Sequence, residues 1–276
     1  MKILVLGAGK MGTFLTDVLC MDHEVAIFDV NPKNLRFVFN TYRMTTYQEV
    51  QAFEPELLIN CVTLNHTIDA FKAVLPYLPK TCIIADIASV KTGLPEFYAS
   101  CGMRYVSTHP MFGPTFANLE DLSRQNAIII SESDHMGKVF FKDLYQSLHL
   151  NIFEYTFVEH DETIAYSLSI PFVSTMVFAA VMKHQDAPGT TFQKHMAIAR
   201  GLFSEDDYLL SEIPFAQDGN ITNESFINRY NTDLANTLGN LVNRSIAMTN
   251  KYFGGKVSKG APENEFDNDL IATANA

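Results

Sequence analysis

Three glycines near the start of the chain have the spacing of a phosphate-binding loop. The segment Gly7-Ala8-Gly9-Lys10-Met11-Gly12 follows an apolar run at residues 3–6 and precedes a stretch with helical spacing of apolar residues. In such a loop the first glycine permits a tight turn, the second lets the backbone approach a pyrophosphate, and the third lets helix and strand pack closely. The amides of the helix N-terminus would then hold the phosphates.

An acidic residue follows the second predicted strand. Asp29 comes directly after the run at 24–28 and 17 residues after Gly12. A carboxylate at this place accepts hydrogen bonds from ribose hydroxyls and repels a 2′-phosphate, so NAD is favoured over NADP. Lys33 is close enough in sequence to weaken that preference. The alternative is a glycine turn without a ligand, in which Asp29 only caps a neighbouring segment.

A serine and a histidine each follow a later predicted strand. Ser89 lies in Asp86-Ile87-Ala88-Ser89-Val90-Lys91, and His109 lies in Ser107-Thr108-His109-Pro110-Met111-Phe112-Gly113-Pro114. Ligands bind where the carboxyl ends of parallel strands open into a crevice. Histidine is the side chain best suited to take up a proton near neutral pH. From the residues alone, a purely structural role for His109 stays open.

The pattern of apolar runs predicts the elements that position these residues. Strands are predicted at 3–6, 24–28, 57–62, 82–87, 105–107 and 127–131, with helical stretches between them. This alternation predicts an α/β fold with a doubly wound, parallel Rossmann-type sheet.

Strand patterns almost disappear after about residue 155, which predicts an all-helical second part. A long helix is predicted at 159–184, with a kink or break at Pro171 because proline cannot donate the helical hydrogen bond. We therefore predict a dinucleotide-binding domain at residues 1–154 and a helical substrate and dimerisation domain at 155–276.

Composition restricts the class of protein and its partners. The chain has 276 residues, a formal net charge of −11 and four cysteines without CxxC spacing. The negative charge disfavours nucleic acid as a partner, and the cysteines are typical of reduced thiols in the cytoplasm. No apolar run approaches the roughly 20 residues of a membrane span, and no cluster of metal ligands is present. We therefore expect a cytoplasmic protein with no membrane segment and no metal.

Several segments together resemble the prephenate/arogenate dehydrogenase family over residues 1–212. They are the glycine loop, the Asp86-Ile87-Ala88-Ser89-Val90-Lys91 segment, the segment from Thr108 to Pro114, Val158-Glu159-His160-Asp161-Glu162 before a long apolar helix, and residues 195–207. The segment around His109 is the most specific of these. For His160 we favour a structural role at the start of a helix.

The resemblance implies an NAD-dependent oxidative decarboxylation in tyrosine biosynthesis. Prephenate would give 4-hydroxyphenylpyruvate, or arogenate would give tyrosine. By the family pattern His109 accepts the hydrogen bond of the ring hydroxyl, Ser89 orients that hydroxyl, and the chain is a homodimer through its helical domain. The family's helix histidine is replaced here by Ser169-Ile170-Pro171-Phe172.

A cation that binds the substrate carboxylate is also expected from the family pattern. Many members use an arginine near the start of a later helix, and the nearest cationic candidates here are Lys194, His195 and Arg200. A lysine is a point charge and cannot form the bidentate contact of an arginine. A solvated surface position for Lys194 therefore stays open as the alternative.

The segment 213–276 resembles a different family, since it is similar to part of the anticodon-binding domain of methionyl-tRNA synthetase. By that pattern Asn240 and Arg244 would contact anticodon bases, and they share a helix face. The catalytic motifs of a synthetase are absent, so a fused or chimeric chain is expected and tRNA binding is not. The alternatives are an NAD-binding protein with an incomplete substrate site, or a fusion with a vestigial tRNA-binding segment.

Overall fold

The computed structural model describes residues 1–113, 121–183 and 185–202. By the contacts between Cα atoms the chain divides into two units, Met1–Gly219 and Asn220–Ala276, and all described residues lie in the first unit. The positions Asn240 and Arg244 fall outside the described residues. The predicted boundary between residues 154 and 155 lies within the first unit and stays a prediction.

One sheet of eight strands forms the centre of the described structure. In chain order the strands are β1 (Lys2–Leu6), β2 (Glu24–Phe28), β3 (Tyr42–Met44), β4 (Leu57–Asn60), β5 (Ile83–Asp86), β6 (Arg104–Pro110), β7 (Asn126–Ile130) and β8 (Asn151–Tyr155). Their order across the sheet is β3-β2-β1-β4-β5-β6-β7-β8. All neighbouring pairs are parallel except β6 and β7, which are antiparallel. The predicted doubly wound α/β fold is confirmed.

Five α-helices lie between the strands along the chain, and three more follow the last strand in the described residues. In chain order the α-helices are α1 (Lys10–Leu19), α2 (Tyr47–Phe53), α3 (Thr67–Val74), α4 (Leu94–Cys101), α5 (His135–Ser147), α6 (Phe157–Ile164), α7 (Ile170–Val181) and α8 (Thr190–Leu202). No strand follows β8 in the described part of the chain, as the sequence analysis expected of the helical region.

The central strands are buried on both faces, which explains their continuous apolar sequences. In β1, Ile3 and Val5 belong to one apolar cluster, whereas Leu4 and Leu6 belong to a second cluster. Successive side chains of a strand point to opposite faces of the sheet, so the two clusters form the cores on its two sides. Removal of this apolar surface from water is the main stabilising contribution to the fold.

Two strands and one strand direction differ from the sequence prediction. The three-residue strand β3 and the strand β8 were not predicted, and β7 was expected to run parallel to its neighbours. Both missed strands lie at the edges of the sheet, and each has exposed positions along its length. An edge strand lacks the continuous apolar pattern of a buried one, so pattern analysis alone could not separate it from a loop.

The predicted long helix is present, and Pro171 does not end it. The segments α6 and α7 are joined by a π-helical turn at Ala165–Ser169, and Pro171 lies in the first turn of α7. A proline removes one helical donor and clashes with the carbonyl four residues earlier, which here belongs to Ser167. Because Ser167 lies within the wider π turn, the helix continues through the proline.

The combined helix also meets the length and composition of a membrane span, which the sequence analysis did not expect. The qualifying segment is Phe157–Ala179, with 23 residues, a mean hydropathy of 1.2 and 6% of its window buried. Length and composition are weak indications on their own. The first two turns of this helix carry Glu159 and Asp161, and the buried His160 between them contacts His109 of the sheet. The start of the helix therefore belongs to the α/β fold.

We predict opposite effects of alanine at two glycines of the loop. A Cβ atom at Gly12 would lie 1.9 Å from the carbonyl oxygen of Gly7, whereas a Cβ at Gly9 would meet no atom within 4 Å. Gly12→Ala should therefore lower the free energy of unfolding by at least about 3 kcal/mol. Gly9→Ala should lower it by less than about 1 kcal/mol. Urea unfolding measures both values, and equal losses would contradict the packing described here.

Candidate active site

The glycine loop lies where the order of the strands changes direction. The chain moves from β1 to β2 on one side and later to β4 on the other, so the carboxyl ends of β1 and β4 are neighbours with no helix crossing between them. The backbone N–H of Gly7 donates to the carbonyl of Phe28 at 2.8 Å, and that of Cys61 donates to the carbonyl of Leu6 at 2.7 Å. Ligands of open α/β sheets bind at such a switch point.

The loop has the geometry that a pyrophosphate requires. Gly7 has a φ of +98°, which favours glycine. Gly12 lies close to the carbonyl of Gly7, so α1 packs directly against the end of β1. Gly9 precedes the first residue of α1 and faces open space, and no side chain caps this helix end. Lys10 and Met11 form the start of the helix. The first amides of α1 can therefore hold an anion.

Asp29, which directly follows β2, is hydrogen-bonded to this loop. Its side chain is 9% exposed, and its Oδ2 accepts a hydrogen bond from the backbone N–H of Ala8 at 2.8 Å. Its Oδ1 accepts from the backbone N–H of Asn31 at 2.8 Å, and the side-chain amide of Asn34 donates to both oxygens at 3.1 and 3.2 Å. A ribose hydroxyl would have to share these oxygens or displace Asn34, and the predicted ribose contact stays a prediction.

His109 lies near the end of β6 with its side chain 6% exposed. Its Nδ1 lies 3.1 Å from Nε2 of His160, which is fully buried in the first turns of α6. The two rings meet edge to face with centroids 5.3 Å apart. The structure thus brings together two histidines 51 positions apart, one of which the sequence analysis had assigned a structural role. None of the described residues hydrogen-bonds Nε2 of His109.

A cap and a carboxylate hold His160 in place. Thr156 and Glu159 form a capping box at the start of α6, which satisfies the free amides of that helix end. Nδ1 of His160 lies 3.0 Å from Oδ1 of Asp161. The sequence contains His160-Asp161 as a motif, but no periodicity could indicate which residue of the sheet it contacts.

Burial keeps both histidines neutral at ordinary pH. Loss of hydration lowers the pKa of His109 well below 6.5, and the neighbouring His160 and Lys91 lower it further. Burial also lowers the pKa of His160, although its hydrogen bond to Asp161 raises it in part. His109 can therefore act as a base with a free electron pair over a wide range of pH.

A buried lysine connects the elements around His109. Nζ of Lys91 donates to Oδ1 of Asp86 at 2.6 Å and to the backbone carbonyl of Thr108 at 2.8 Å. Both side chains of the ion pair are 0% exposed, and the hydroxyl of Tyr98 donates to Oδ2 of Asp86 at 2.7 Å. The sequence analysis missed this role, because lysine is seldom fully buried unless it is paired.

Ser89 lies in the loop after β5, at the same edge of the sheet as His109. It is partly buried, and no hydrogen bond joins its side chain to another described residue. The structure therefore places Ser89 beside the crevice without a contact to His109, and its predicted role in orienting a hydroxyl stays a prediction.

The predicted substrate-binding cations lie on α8. Lys194, His195 and Arg200 are exposed. Nδ1 of His195 lies 3.2 Å from the carbonyl of Thr191, and its ring packs on Phe178 with centroids 5.3 Å apart. The structure shows no contact of these side chains with His109 within the described chain, so their role stays a prediction. In the described residues no group of three or more His, Cys, Asp or Glu side chains could hold a metal ion.

Comparison with known families identifies the part of the chain that carries His109. Residues 22–151 match the family described as prephenate dehydrogenase, nucleotide-binding domain. These residues are similar to that family, and they make up less than half of the chain. The match contains Asp29, Ser89 and His109, and it begins after the glycine loop. The first resemblance noted in the sequence is therefore confirmed.

Several solved structures have the same fold as this chain. A prephenate dehydrogenase from Aquifex aeolicus, solved in complex with hydroxyphenyl propionate and NAD+, superposes with a TM-score of 0.70 at 16% identity, covering 100% of this chain and 96% of that one. An arogenate dehydrogenase from Synechocystis gives a TM-score of 0.67 at 15% identity, covering 100% and 98%. At such low identity the likeness concerns the fold alone.

The second resemblance is also confirmed, over a shorter segment. Residues 206–246 match the family described as tRNA synthetases class I (M). The methionine–tRNA ligase of Oceanobacillus iheyensis is 46% identical over 95 residues, and that of Bacillus subtilis is 55% identical over 69 residues. These stretches cover 34% and 24% of this chain but only 14% and 10% of the ligases. The chain thus combines segments similar to two unrelated families.

We predict that loss of the buried ammonium group destabilises the domain. Lys91→Met keeps the aliphatic bulk but leaves the Asp86 carboxylate buried without its partner, which should cost about 3–5 kcal/mol. Urea unfolding should show this loss, and Lys72→Met, which changes an exposed lysine on α3, is the control. A loss no larger than that of the control would contradict the role of Lys91.

We also predict an acid-sensitive contribution of His109 to stability. Because its pKa is lower in the folded than in the unfolded state, the unfolded chain binds more protons below about pH 6.5, and stability falls as the pH is lowered through that value. As the pH falls from about 6.5 to 5, the free energy of unfolding of the wild type should decrease by up to about 1.4 kcal/mol per pH unit more than that of His109→Gln. Unfolding at several pH values measures this, with exposed His66→Gln as control. Parallel curves for wild type and His109→Gln would overturn the prediction.

Proposed function

We propose that this chain is an NAD-dependent dehydrogenase that oxidatively decarboxylates prephenate or arogenate in tyrosine biosynthesis. The observation that carries the proposal is the position of His109. Its buried ring leaves Nε2 without a described partner at the sheet edge where the glycine loop offers amides to a dinucleotide. The family of residues 22–151 and the ligands named for the Aquifex aeolicus structure support this assignment.

The glycine loop provides the proposed cofactor site. The residues that would hold the dinucleotide are Gly7, Gly9, Lys10, Met11, Gly12 and Asp29. NAD, when bound, supplies the acceptor for the hydride. The open space over Gly9 and the start of α1, which no side chain caps, would accommodate its pyrophosphate. Asp29 favours NAD over NADP, because a 2′-phosphate beside this carboxylate would be repelled.

His109 is the proposed base for the ring hydroxyl of the substrate. As the hydride leaves C4 of the ring, positive charge develops on the hydroxyl oxygen, and Nε2 of His109 takes its proton. The C–C bond to the ring carboxylate breaks, CO2 leaves, and the released electron pair completes the aromatic ring. The proton then returns to the phenolic oxygen. A base placed in this way typically contributes about 10²–10⁴-fold to the rate.

Other residues of the chain would orient the substrate and exclude water. Ser89 would orient the ring hydroxyl from the loop after β5. Lys194, His195 and Arg200 are the candidates for the substrate carboxylate, and a homodimer through the helical region would bring such residues from a second copy. Exposed apolar residues on α7, including Ile170 and Val177, are consistent with coverage by a second copy. We place the enzyme in the cytoplasm.

The segment similar to methionine–tRNA ligases favours a second candidate, an NAD-binding protein without a competent substrate site. Residues 206–246 match the synthetase family and not the dehydrogenase family. The chain spans only 10–14% of the ligases it resembles, and its net charge of −11 opposes an RNA backbone. We therefore do not propose tRNA binding.

We predict that His109→Asn separates turnover from cofactor binding. The amide cannot take up the hydroxyl proton, so the turnover number with prephenate or arogenate should fall by at least about 100-fold. The dissociation constant of NAD should stay within about threefold of the wild-type value, because the substitution leaves the glycine loop unchanged. Absorbance of reduced nicotinamide measures turnover, and calorimetry measures NAD binding.

Exposed His66→Asn is the control, and it should change neither quantity. Unchanged turnover in His109→Asn would contradict the proposed base. Saturable NAD binding by the wild type without turnover of either substrate would favour the second candidate.

A further inference from the structure

Three side chains form a continuous relay that ends at the candidate base. Nδ1 of His109 lies 3.1 Å from Nε2 of His160, and Nδ1 of His160 lies 3.0 Å from Oδ1 of Asp161. His109 is 6% exposed and His160 is 0% exposed. The contact between the two rings is therefore shielded from water, while the side chain of Asp161 is 38% exposed. Each short contact requires one hydrogen between its two atoms.

The carboxylate decides where those hydrogens are. An ionised carboxylate only accepts hydrogen bonds, so Nδ1 of His160 carries the hydrogen that points to Asp161. A neutral imidazole has one N–H, which leaves Nε2 of His160 as an acceptor. The hydrogen between the rings then belongs to Nδ1 of His109. By the same count, Nε2 of His109 has no hydrogen and presents its electron pair.

We propose that His160 and Asp161 are positioning residues that hold His109 in the Nδ1–H tautomer and so leave Nε2 free to take up the proton of the substrate. This inference rests on the proposed function of His109 as a base. A neutral imidazole in water favours the opposite tautomer, which carries its hydrogen on Nε2. In that tautomer Nε2 cannot accept the proton of the substrate. The tautomer of a catalytic histidine is set by the hydrogen bond of its other nitrogen.

The same relay stabilises His109 once it has taken up the proton. Nδ1–H continues to donate to His160, and the negative charge of Asp161 lies at the end of the relay. The other charged groups near the relay are Lys91, which disfavours a cation on His109, and Asp86, which is paired with Lys91. Asp161 thus supplies the counter-charge aligned with the relay, as a buried carboxylate does behind the histidine of a catalytic triad.

The location of α6 explains why the relay is rigid. The capping box of Thr156 and Glu159 fixes the first turn of the helix, and His160 follows directly in that helix. The backbone N–H of Lys91 lies 3.4 Å from Oδ1 of Asp161, so the same carboxylate also contacts the loop after β5. A shift of α6 would therefore disturb the ring contact and the loop that carries Ser89.

The direct test is ¹⁵N NMR of the histidine rings in the protein without ligands, where the nitrogen shifts show which ring nitrogen carries the proton. At pH 7.5 His109 should be in the Nδ1–H form. In His160→Gln the amide oxygen takes the place of Nε2 and should keep that form. In His160→Leu no acceptor is present, so His109 should change to the Nε2–H form or to a mixture. This measurement needs no substrate, so it determines the tautomer of His109 even if neither prephenate nor arogenate is turned over.

Kinetics provide the second readout. His160→Leu should lower kcat by at least about tenfold and by no more than the roughly 10²–10⁴-fold that a base contributes, with little change in KM for NAD. His160→Gln should keep kcat within about fivefold of the wild type. Asp161→Ala should lower kcat, whereas Glu162→Ala at the next, exposed position should not.

An Nε2–H form of His109 in the wild type would overturn the inference, as would equal kcat values for His160→Leu and His160→Gln. If His160→Leu does not fold, the tautomer in the wild type and in His160→Gln still decides the question. Turnover absent from the wild type would contradict the proposed function and leave the NMR result as the test of the relay.

Discussion

The ammonium group of Lys91 joins the three elements that form the candidate site. It pairs with Asp86 at the end of β5 and donates to the carbonyl of Thr108, the residue before His109. Its own backbone N–H approaches Asp161 on α6. A buried charge of this kind costs much free energy unless it is paired and hydrogen-bonded, so Asp86 and the carbonyl of Thr108 must stay close to the ammonium group. The position of His109 in the crevice depends on that arrangement.

The two halves of the candidate site rest on different physics. The glycine loop works through backbone geometry, since Gly12 packs on the carbonyl of Gly7 and no side chain caps the start of α1. The histidine relay works through two buried imidazole rings and the partly exposed carboxylate of Asp161. Parallel strands place the ends of β1 and β6 at the same edge of the sheet, and we propose that the glycine loop and the histidine relay share one ligand site there.

How far the sequence predicted the structure depended on the range of the interactions. The glycine loop and the central strands were predictable because their signals lie within a few residues, and His109 was found through its motif. The contact of His109 with His160 joins positions 51 apart, and only the packing of α6 on the sheet creates it. Lys91 was missed because its residue type suggests exposure, and β8 was missed because its edge position leaves its pattern mixed. Residues 114–120, residue 184 and those after 202 are outside the described structure.

The central claim is that one crevice holds a dinucleotide on the glycine loop and a ring hydroxyl at His109. A crystal structure of the chain with NAD and 4-hydroxyphenyl propionate tests it most directly. We expect the pyrophosphate over Gly9 and the phenolic oxygen about 2.6–3.2 Å from Nε2 of His109. Binding of the phenol elsewhere, or a nicotinamide ring remote from His109 while the pyrophosphate occupies the loop, would contradict the account.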